Sequence, residues 1–336
     1  MGANLYIHFP FCRSKCAYCA LLSRSGSSSD ERASYVDGIA SRVRQLGSRL
    51  DGLSTVYFGG GTPALCDLGP VFDALEPHLG PDCEFTVELH PLDVGSGLLE
   101  TLRAGGVNRI SMGVQSLEDG VLAAMGRGYA AAQAARSFEK VRKVFDNAGI
   151  DLIVGYPGES ADLGTRLPNL VSWGLAHCSV YALQNDRGLA DVPDDETALD
   201  RVAETASLLG GIGLRRYEIS NYAIPGRECR HNLAVWRGED YFGIGEGAHG
   251  RLGLERTLDY LGPHARVETV GSAADATERR IFRLRTLDGL DAWGREDWKP
   301  ALGRFVSEGM LTREGETYRL TARGAEVCDA ILAELV

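Results

Sequence analysis

Three cysteines lie close together near the start of the chain, within the stretch HFPFCRSKCAYCA. Cys12, Cys16 and Cys19 are separated by three residues and then by two. Cysteine thiolates ligate zinc ions and iron–sulfur clusters, and a zinc ribbon needs two pairs of cysteines where this chain has one loop. Three thiolates can hold three irons of a [4Fe–4S] cluster, so the fourth iron would stay open to a small molecule.

The residues between the cysteines favour a ligand role over a buried structural one. Arg13, Ser14 and Lys15 make the segment a polar loop rather than a buried strand. A structural zinc site remains the alternative, and His8 beside the cluster could either orient a ligand or belong to the core. The other cysteines are scattered singly along the chain. In a reducing compartment we expect most of them to be small residues of the hydrophobic core. These single cysteines are Cys66, Cys83, Cys178, Cys229 and Cys328.

A glycine run and several polar residues follow the ends of strand-like segments. The glycines at 59–61 come after the second such segment, and their backbone can approach a ligand closely. Glu88, Gln115 and Asp151 end later segments, and Arg127 lies about a helix length beyond Gln115. These side chains suit the hydroxyl groups of a ligand, and Arg127 suits a carboxylate. Taken singly, each residue could equally be a solvated or capping residue.

The elements that must position these residues alternate between strand-like and helix-like segments. The strand-like runs are NLYIHF, STVYFG, CEFTVEL, NRISMGV, GIDLIVG and CSVYAL. This alternation predicts βαβ units and therefore an α/β fold with a parallel sheet. Six units between about residues 5 and 184 are too few for a closed eight-stranded barrel, so we expect a curved, partly open one. Ligands of such folds collect at the carboxyl ends of the strands, where the candidate motifs fall.

The pattern changes twice along the rest of the chain. We expect a partial barrel over residues 1–190, then a helix and a segment rich in glycine and aromatic residues over 191–255, packed on the barrel. Residues 256–336 read as helix, helix, hairpin and helix, which predicts a small C-terminal α+β domain resembling a winged helix. The mixed charge of this domain favours a packing or lid element over a DNA reader.

Composition narrows the class of protein. The chain has 336 residues, of which 44% are hydrophobic, and a formal net charge of −11. That charge argues against nucleic acid as a partner, because binding through phosphates needs a surplus of lysine and arginine. No apolar run approaches the roughly 20 residues that span a bilayer, and the N-terminus lacks the pattern of a signal peptide. We therefore expect a cytoplasmic protein.

The motifs resemble those of the radical S-adenosylmethionine (SAM) superfamily. The resemblance rests on the Cys-x3-Cys-x2-Cys spacing, the lead-in YIHFPF and the segment FGGGTP. It implies a partial (β/α)6 barrel and a [4Fe–4S] cluster held by Cys12, Cys16 and Cys19, whose open iron binds SAM. One electron would then cleave SAM to methionine and a 5′-deoxyadenosyl radical. The implied SAM-binding residues are Tyr6, Tyr18, Gly60, Gly61, Thr62, Glu88, Gln115, Arg127 and Asp151.

Longer motifs resemble one subgroup, the oxygen-independent coproporphyrinogen III oxidases and the related haem chaperone (HemW) branch. These motifs include GVNRISMGVQS, DLIVGYPGES and the stretch from Arg216 to His249. The oxidases carry a further cysteine where this chain has Leu21, and they have an extension before the first strand, which this chain enters by about Leu5. Both features favour the chaperone branch, which implies that the protein binds haem and delivers it to an acceptor protein.

A second motif of that branch, His-Asn-x-x-Tyr-Trp, is associated with haem binding. Its counterparts here are His231, Asn232 and Trp236, with Val235 in place of the tyrosine. The resemblance implies that His231 ligates haem iron and that Trp236 packs on the porphyrin. The alternative is a histidine that satisfies backbone groups in a long loop. Cys229 is a second candidate for a soft ligand or a buried free cysteine.

Two classes of function remain after this comparison of motifs. The first is a haem chaperone that binds a [4Fe–4S] cluster, SAM and haem, with an unidentified electron donor and with membrane contact at the acceptor left open. The second is an enzyme of porphyrin metabolism, either similar to coproporphyrinogen III oxidase or another radical SAM catalyst. Leu21 argues against the oxidase itself.

Overall fold

The computed structural model describes residues 3–95, 97–160 and 167–335, without the side chains of residues 167–169. Among these residues the longer strands are β1 (Asn4–Phe9), β2 (Leu53–Gly60), β3 (Leu79–Leu89), β4 (Arg109–Gln115), β5 (Asn147–Val154), β6 (His177–Ala182), β7 (Asn221–Ala223), β8 (Tyr241–Ile244), β9 (His249–Leu252), β10 (Glu255–Leu258), β11 (Arg266–Thr269), β12 (Leu311–Glu314) and β13 (Thr317–Leu320). Two-residue strands lie at Phe11–Cys12, Arg24–Ser25, Arg215–Arg216 and Leu290–Asp291.

The helices fall between and after the strands. They are α1 (Ser29–Leu46), α2 (Gly69–Leu75), α3 (Leu98–Ala104), α4 (Asp119–Ala124), α5 (Ala131–Arg142), α6 (Leu167–Trp173), α7 (Asp195–Gly211), α8 (Arg230–Trp236), α9 (Ser272–Arg283), α10 (Lys299–Ser307), α11 (Ala322–Glu326) and α12 (Cys328–Ala333). Short 3₁₀ turns occur at Gly47–Leu50, Pro63–Leu65, Glu76–His78 and Pro91–Asp93. Within the described ranges, no helix has both the length and the apolar character needed to cross a membrane.

Strands β1 to β6 form the parallel sheet that the alternating pattern predicts. They pair in chain order, β1 with β2 and so on to β6, and every pairing is parallel. The sheet does not close, because further strands continue it at both edges: β8 to β11 beside β1, and β7 with Arg215–Arg216 beside β6. The prediction of an α/β fold with a partly open six-unit barrel is confirmed.

The two faces of the barrel sheet differ in polarity. In β1, Leu5 and Ile7 are fully buried against the helical layer. The alternate residues of the barrel strands are polar and meet one another inside the curve of the sheet. Thr55 donates to Asn4 Oδ1 at 2.9 Å, and other polar pairs follow nearer the carboxyl ends. Parallel strands are usually apolar on both faces, so this alternation marks an interior built to hold polar groups.

The segment after the barrel extends the sheet. Helix α7 begins after Asp194, whose side chain accepts a hydrogen bond from the Thr197 amide at 2.9 Å and so caps the helix. Strand β8 then pairs in parallel with β1, and β9, β10 and β11 follow as antiparallel neighbours. Strand β8 belongs to the same sheet as the barrel, so the sheet itself does not divide these parts of the chain. The domain boundaries expected at residues 190 and 255 stay predictions.

The C-terminal part has a hydrophobic core of its own. Leu284, Leu302 and Ile331 are fully buried in it and come from different elements. The order is α9, α10, the hairpin β12–β13, then α11 and α12, with Leu290–Asp291 as a third strand beside β13. This order agrees with the winged-helix-like prediction, except that the last helix is divided into two short ones.

Candidate functional site

A cavity of about 830 Å³ opens at the carboxyl ends of the barrel strands. Its volume lies in the upper part of the range of about 300–1,000 Å³ that holds small molecules and cofactors. Most of the predicted site residues line it. These lining residues are Cys12, Cys16, Cys19, Tyr18, Gly60, Gly61, Thr62, Glu88, Gln115, Arg127 and Asp151. The structure thus brings together residues that lie far apart in the sequence, while Tyr6 and His231 are outside the lining.

The cluster cysteines are free thiols on one wall of this cavity. Cys12, Cys16 and Cys19 are all partly buried, and burial is the main effect that raises the pKa of the Cys12 thiol. Cys12 ends the short strand Phe11–Cys12, which pairs with Arg24–Ser25. Among the described residues, no three His, Cys, Asp or Glu side chains converge on one point closely enough for a single metal ion.

Polar contacts fix the loop that carries the cysteines. Arg13 Nε donates to Asp93 Oδ1 at 2.7 Å, and the Asp93 side chain is almost fully buried. Lys15 Nζ donates to the Leu21 carbonyl at 2.6 Å and to Ser23 Oγ at 2.7 Å. The positive residues between the cysteines therefore tie the loop to its surroundings, which leaves the thiols to face the cavity.

Gly60 and Gly61 bring backbone close to the cysteine loop. A Cβ on Gly61 would lie 2.5 Å from the Phe11 carbonyl oxygen and 2.9 Å from Cys12 Sγ. Gly60 has a φ of +110°, and a Cβ there would lie 2.5 Å from the His8 ring. Only glycine fits these two positions. The segment is thus a cradle shaped by missing side chains, as the sequence predicts.

His8 lies beneath that cradle and links it to the cysteine loop. Burial is the main cause that lowers its pKa, so the ring is neutral. His8 Nε2 bonds the Leu22 carbonyl oxygen at 2.8 Å and must donate to it, so Nδ1 accepts from the Tyr6 hydroxyl at 3.0 Å. Of the two roles that the sequence leaves open, the structure favours a core residue, with Tyr6 orienting it.

Glu88 lies at the end of β3, on the floor of the cavity. Its Oε1 accepts from the Tyr57 hydroxyl at 2.8 Å and its Oε2 from the Gly60 amide at 3.1 Å. Burial and the neighbouring Asp151 raise the pKa of Glu88 to about 7, although both hydrogen bonds oppose this. Near neutral pH this carboxyl can therefore either accept or donate a hydrogen bond to a ligand.

Asp151 and Gln115 complete the polar floor. Asp151 Oδ1 accepts from Ser111 Oγ at 3.0 Å, and burial is the main effect that raises its pKa. Gln115 has a φ of +70° where the register of β4 against β5 shifts, between Gly113 and Gln115. A left-handed conformation is costly for glutamine, and residues held in this way concentrate at functional sites. The bulge directs the Gln115 side chain into the cavity wall.

Arg127 places a positive charge beside the cysteines. Its Nη1 lies 3.3 Å from Cys16 Sγ, and its Nη2 donates to the Gly113 carbonyl at 2.6 Å. Its Nε donates to the Tyr129 hydroxyl at 3.0 Å. These bonds hold the guanidinium rigidly at the cavity wall, where it can meet an anionic group of a ligand.

His231 lies one layer below the cavity. Its ring is buried, its centroid is 5.3 Å from that of Tyr57, and its Nδ1 bonds Thr55 Oγ1 at 2.8 Å. Thr55 donates its hydrogen to Asn4, so His231 Nδ1 must carry a proton. Burial lowers the pKa of His231 to about 3. The structure does not bring His231 to the cavity, and its role as a haem ligand stays a prediction.

The neighbours of His231 in the sequence also have structural contacts. Trp236 Nε1 donates to Glu218 Oε2 at 3.0 Å, and the Arg285 guanidinium lies 4.9 Å from the centre of its ring. Cys229 is fully buried, and burial raises the pKa of its thiol to about 12. Cys229 is therefore held in the protein interior, while the partly buried Trp236 lies behind Arg285 and is not itself part of the cavity lining.

Sequence reasoning missed several residues of the site. Tyr57 could have been found, because it lies two residues before Gly59 and so points to the same face of β2. Tyr129 and Asp93 gave no such signal, since they act through Arg127 and Arg13 on other elements. Their place depends on how helices and turns pack, which a local pattern does not specify.

Comparison with known proteins agrees with this geometry. The model of the radical SAM superfamily matches residues 6–163. The haem chaperone HemW of Mycobacterium tuberculosis H37Rv is 32% identical over 99% of this chain and 94% of its own. The mitochondrial radical S-adenosyl methionine domain-containing protein 1 of Bos taurus is 32% identical over 99% and 87% respectively.

A solved structure supports the fold independently. The coproporphyrinogen III oxidase HemN of Escherichia coli, described as a radical SAM enzyme, superposes with a TM-score of 0.84. The match covers 99% of this chain and 90% of that one at 20% identity, so it shows the fold alone. The full-length similarity to the mycobacterial relative, at 32% identity, also shows the family. The chain belongs to the HemW family of the radical SAM superfamily.

Proposed function

We propose that this protein is a radical SAM haem chaperone, which binds a [4Fe–4S] cluster, SAM and haem and passes haem to an acceptor protein. The observation that supports this proposal most directly is that three free thiols and most of the predicted SAM-binding side chains line one cavity. The relatives named haem chaperones cover nearly all of the chain or about three quarters of it. We also propose that it works in the cytoplasm, where free thiols persist.

The residues present fit an iron–sulfur cluster and SAM. Cys12, Cys16 and Cys19 would hold the cluster, and Gly61 leaves the room beside Cys12 that any side chain would fill. When bound, the cluster supplies an electron for reductive cleavage of SAM. Arg127 has the charge and position to bind a carboxylate next to the cysteines.

The other polar residues would orient SAM. Glu88 and Asp151 would accept hydrogen bonds from hydroxyl groups of the ribose. The Gly60 amide is already bound to Glu88, so Gly60 can offer a ligand its carbonyl oxygen but not its N–H. Tyr18 lies between Cys16 and Cys19 in the sequence and lines the cavity, where its ring would shield a bound cluster from water.

Haem titration of the anaerobically reconstituted protein tests the proposal. We expect the absorbance of haem to shift on binding, and the bound haem to move to an apo-haemoprotein added afterwards. Failure to bind haem would overturn the proposal. Turnover of coproporphyrinogen III, with deoxyadenosine formed in proportion, would support the oxidase instead.

The haem ligand needs its own variant. If His231 ligates haem iron, His231→Ala should lose the spectral signature of histidine ligation. His249→Ala is the control and should keep it, because His249 is exposed on another element, the strand β9. Haem bound by His231→Ala with an unchanged spectrum would reject His231 as the ligand. The buried hydrogen bond to Thr55 makes a check of folding by circular dichroism necessary.

A further inference from the structure

The cavity extends well beyond the cysteine loop and the polar floor. Its far end is formed by Arg216, Ile219 and Arg285 together with Glu326 and Asp329 of the C-terminal domain. None of these residues belongs to the predicted SAM-binding set. Apolar side chains also line the cavity. They are Ile153, Val180, Leu183, Leu199 and Val202.

Arg216 has no carboxylate partner among the residues that the structure describes. Its Nε donates to the Ile219 carbonyl at 2.9 Å, and its guanidinium carbon lies 5.6 Å from the centre of the Tyr222 ring. These contacts orient the group but leave both terminal NH₂ groups available. An unpaired arginine that lines a cavity is notable in a chain with a net charge of −11, because acidic side chains are plentiful.

Arg285 is held rigidly near Arg216. Its Nη2 bonds Asp329 Oδ1 at 2.5 Å, its guanidinium stacks on Trp236, and its buried Nε has no hydrogen-bond partner. Arg216 and Arg285 both line this cavity, and both oppose the rise that burial causes in the pKa of the Cys328 thiol. The two cations thus share the far end of the cavity.

We propose that Arg216 and Arg285 bind the carboxylates of the tetrapyrrole, which places haem in this cavity with its propionates directed away from the cysteine loop. This inference rests on the proposed function. Haem combines a flat apolar body with two carboxylates on one edge, and the cavity combines apolar lining residues with the guanidinium groups of Arg216 and Arg285. Guanidinium groups bind carboxylates through paired, charge-assisted hydrogen bonds.

Two acidic residues at the same end of the cavity, Glu326 and Asp329, oppose the binding of a carboxylate. Asp329 competes for Arg285, but its side chain is 80% exposed, so solvent screens its charge. Glu326 lines the cavity without a described partner of its own. We therefore expect Asp329→Asn to tighten haem binding, because it frees one donor of Arg285 and removes a repulsive charge. Weaker haem binding by a folded Asp329→Asn would contradict the proposal.

Titration of the reconstituted protein with haem and with haem dimethyl ester tests the proposal. The ester keeps the ring and the iron but lacks both carboxylates. We expect the wild type to bind haem about tenfold more tightly than the ester, as the loss of a charge-assisted contact predicts. Arg216→Gln should bring the two affinities close together, and Arg216→Lys should keep part of the preference. Arg215→Gln is the matched control, since Arg215 is the exposed neighbour on the same strand.

The outcomes separate this inference from the function on which it rests. Equal binding of haem and ester by the wild type would overturn the carboxylate site and leave the haem chaperone intact. An unchanged preference in a folded Arg216→Gln would also overturn it. Binding of neither compound by the wild type would overturn the proposed function itself.

Discussion

Glu88 lies at the carboxyl end of β3 and accepts hydrogen bonds from two donors. Its pKa is nevertheless about 7, well above the ordinary 4.5. The native state of Glu88 therefore holds a proton that the unfolded state releases between these values. The stability that this group contributes is complete below the unfolded pKa and is lost as the pH rises through the folded one. Near neutral pH, the Glu88 carboxyl on the floor of the cavity is therefore partly ionised and partly protonated.

Replacement of Glu88 by glutamine should remove this pH dependence. The wild type should lose roughly 2 kcal/mol of stability relative to Glu88→Gln between about pH 5 and pH 8. Denaturant unfolding at several pH values measures the difference. Glu100→Gln is the control, because that carboxyl is exposed on α3. Parallel pH curves for wild type and Glu88→Gln would show that the carboxyl is charged throughout.

Gly61 offers a second residue-scale test, on the cluster. A Cβ at this position overlaps the Phe11 carbonyl and Cys12 Sγ, and relief of such a contact costs about 1–3 kcal/mol. Since the nearest atom belongs to the Phe11 backbone, the added Cβ must displace the strand Phe11–Cys12. Gly61→Ala should therefore hold much less iron and sulfide after reconstitution, and circular dichroism checks that it folds. Gly120→Ala is the matched control, because a Cβ there has open space. Full iron content in Gly61→Ala would contradict the claim that the cluster site needs a glycine at this position.

Much of the site could be predicted from the sequence, for a physical reason. Parallel strands end at one edge of a sheet, so a motif that follows a strand is placed by the strand itself. Glu88, Gln115 and Asp151 are positioned in this way. His231 is different, because it lies in the first turn of the short helix α8, whose packing no strand determines. Arg216 begins the motif stretch that runs to His249, but only the cavity shows that its side chain lines a ligand site.

At the scale of elements, an ion cluster joins the extended sheet to the C-terminal domain. Asp275 of α9 accepts from Arg251 of β9 at 3.1 Å, from Arg256 of β10 at 2.7 Å and from Arg279 at 2.8 Å. Burial alone would raise the pKa of Asp275, but the three arginines outweigh it and hold that pKa below its ordinary value. The carboxylate is therefore charged and shared between two elements of the sheet and one helix.

Asp275→Asn should weaken this junction. We expect a loss of about 2 kcal/mol in the free energy of unfolding, because three arginines lose one of their acceptors and keep only Glu278 or Asp240. A higher salt concentration should reduce the difference in the free energy of unfolding between the wild type and the variant. Asp297→Asn, which removes an exposed pair with Arg295, is the control and should change stability little. Equal stability of Asp275→Asn and wild type would make the cluster a surface feature.

The six barrel strands were predictable as elements, while the rest of the sheet was not. Each barrel strand is a compact run of apolar and polar residues in alternation, bounded by glycine or by helical pattern. Strands β8 to β11 instead lie in a glycine-rich segment, and β8 finds its partner β1 at the other end of the chain. Pairing at such a distance depends on which sheet edge remains open after the barrel forms.

At the scale of the whole molecule, one cavity is enclosed by two parts of the chain. The barrel supplies the cysteine loop and the polar floor, and the C-terminal domain supplies α11, α12 and Arg285. These parts have separate hydrophobic cores. A ligand that contacts both would be released most readily if they moved apart, which suits a protein that passes haem onward.

Electron paramagnetic resonance of the reduced, anaerobically reconstituted protein, recorded with and without SAM, tests the central claim most directly. The claim is that Cys12, Cys16 and Cys19 hold a cluster whose fourth corner is left to SAM. The account predicts a [4Fe–4S] signal that changes when SAM is added and is absent in Cys16→Ala. A protein without iron and sulfide, or a cluster signal indifferent to SAM, would contradict it.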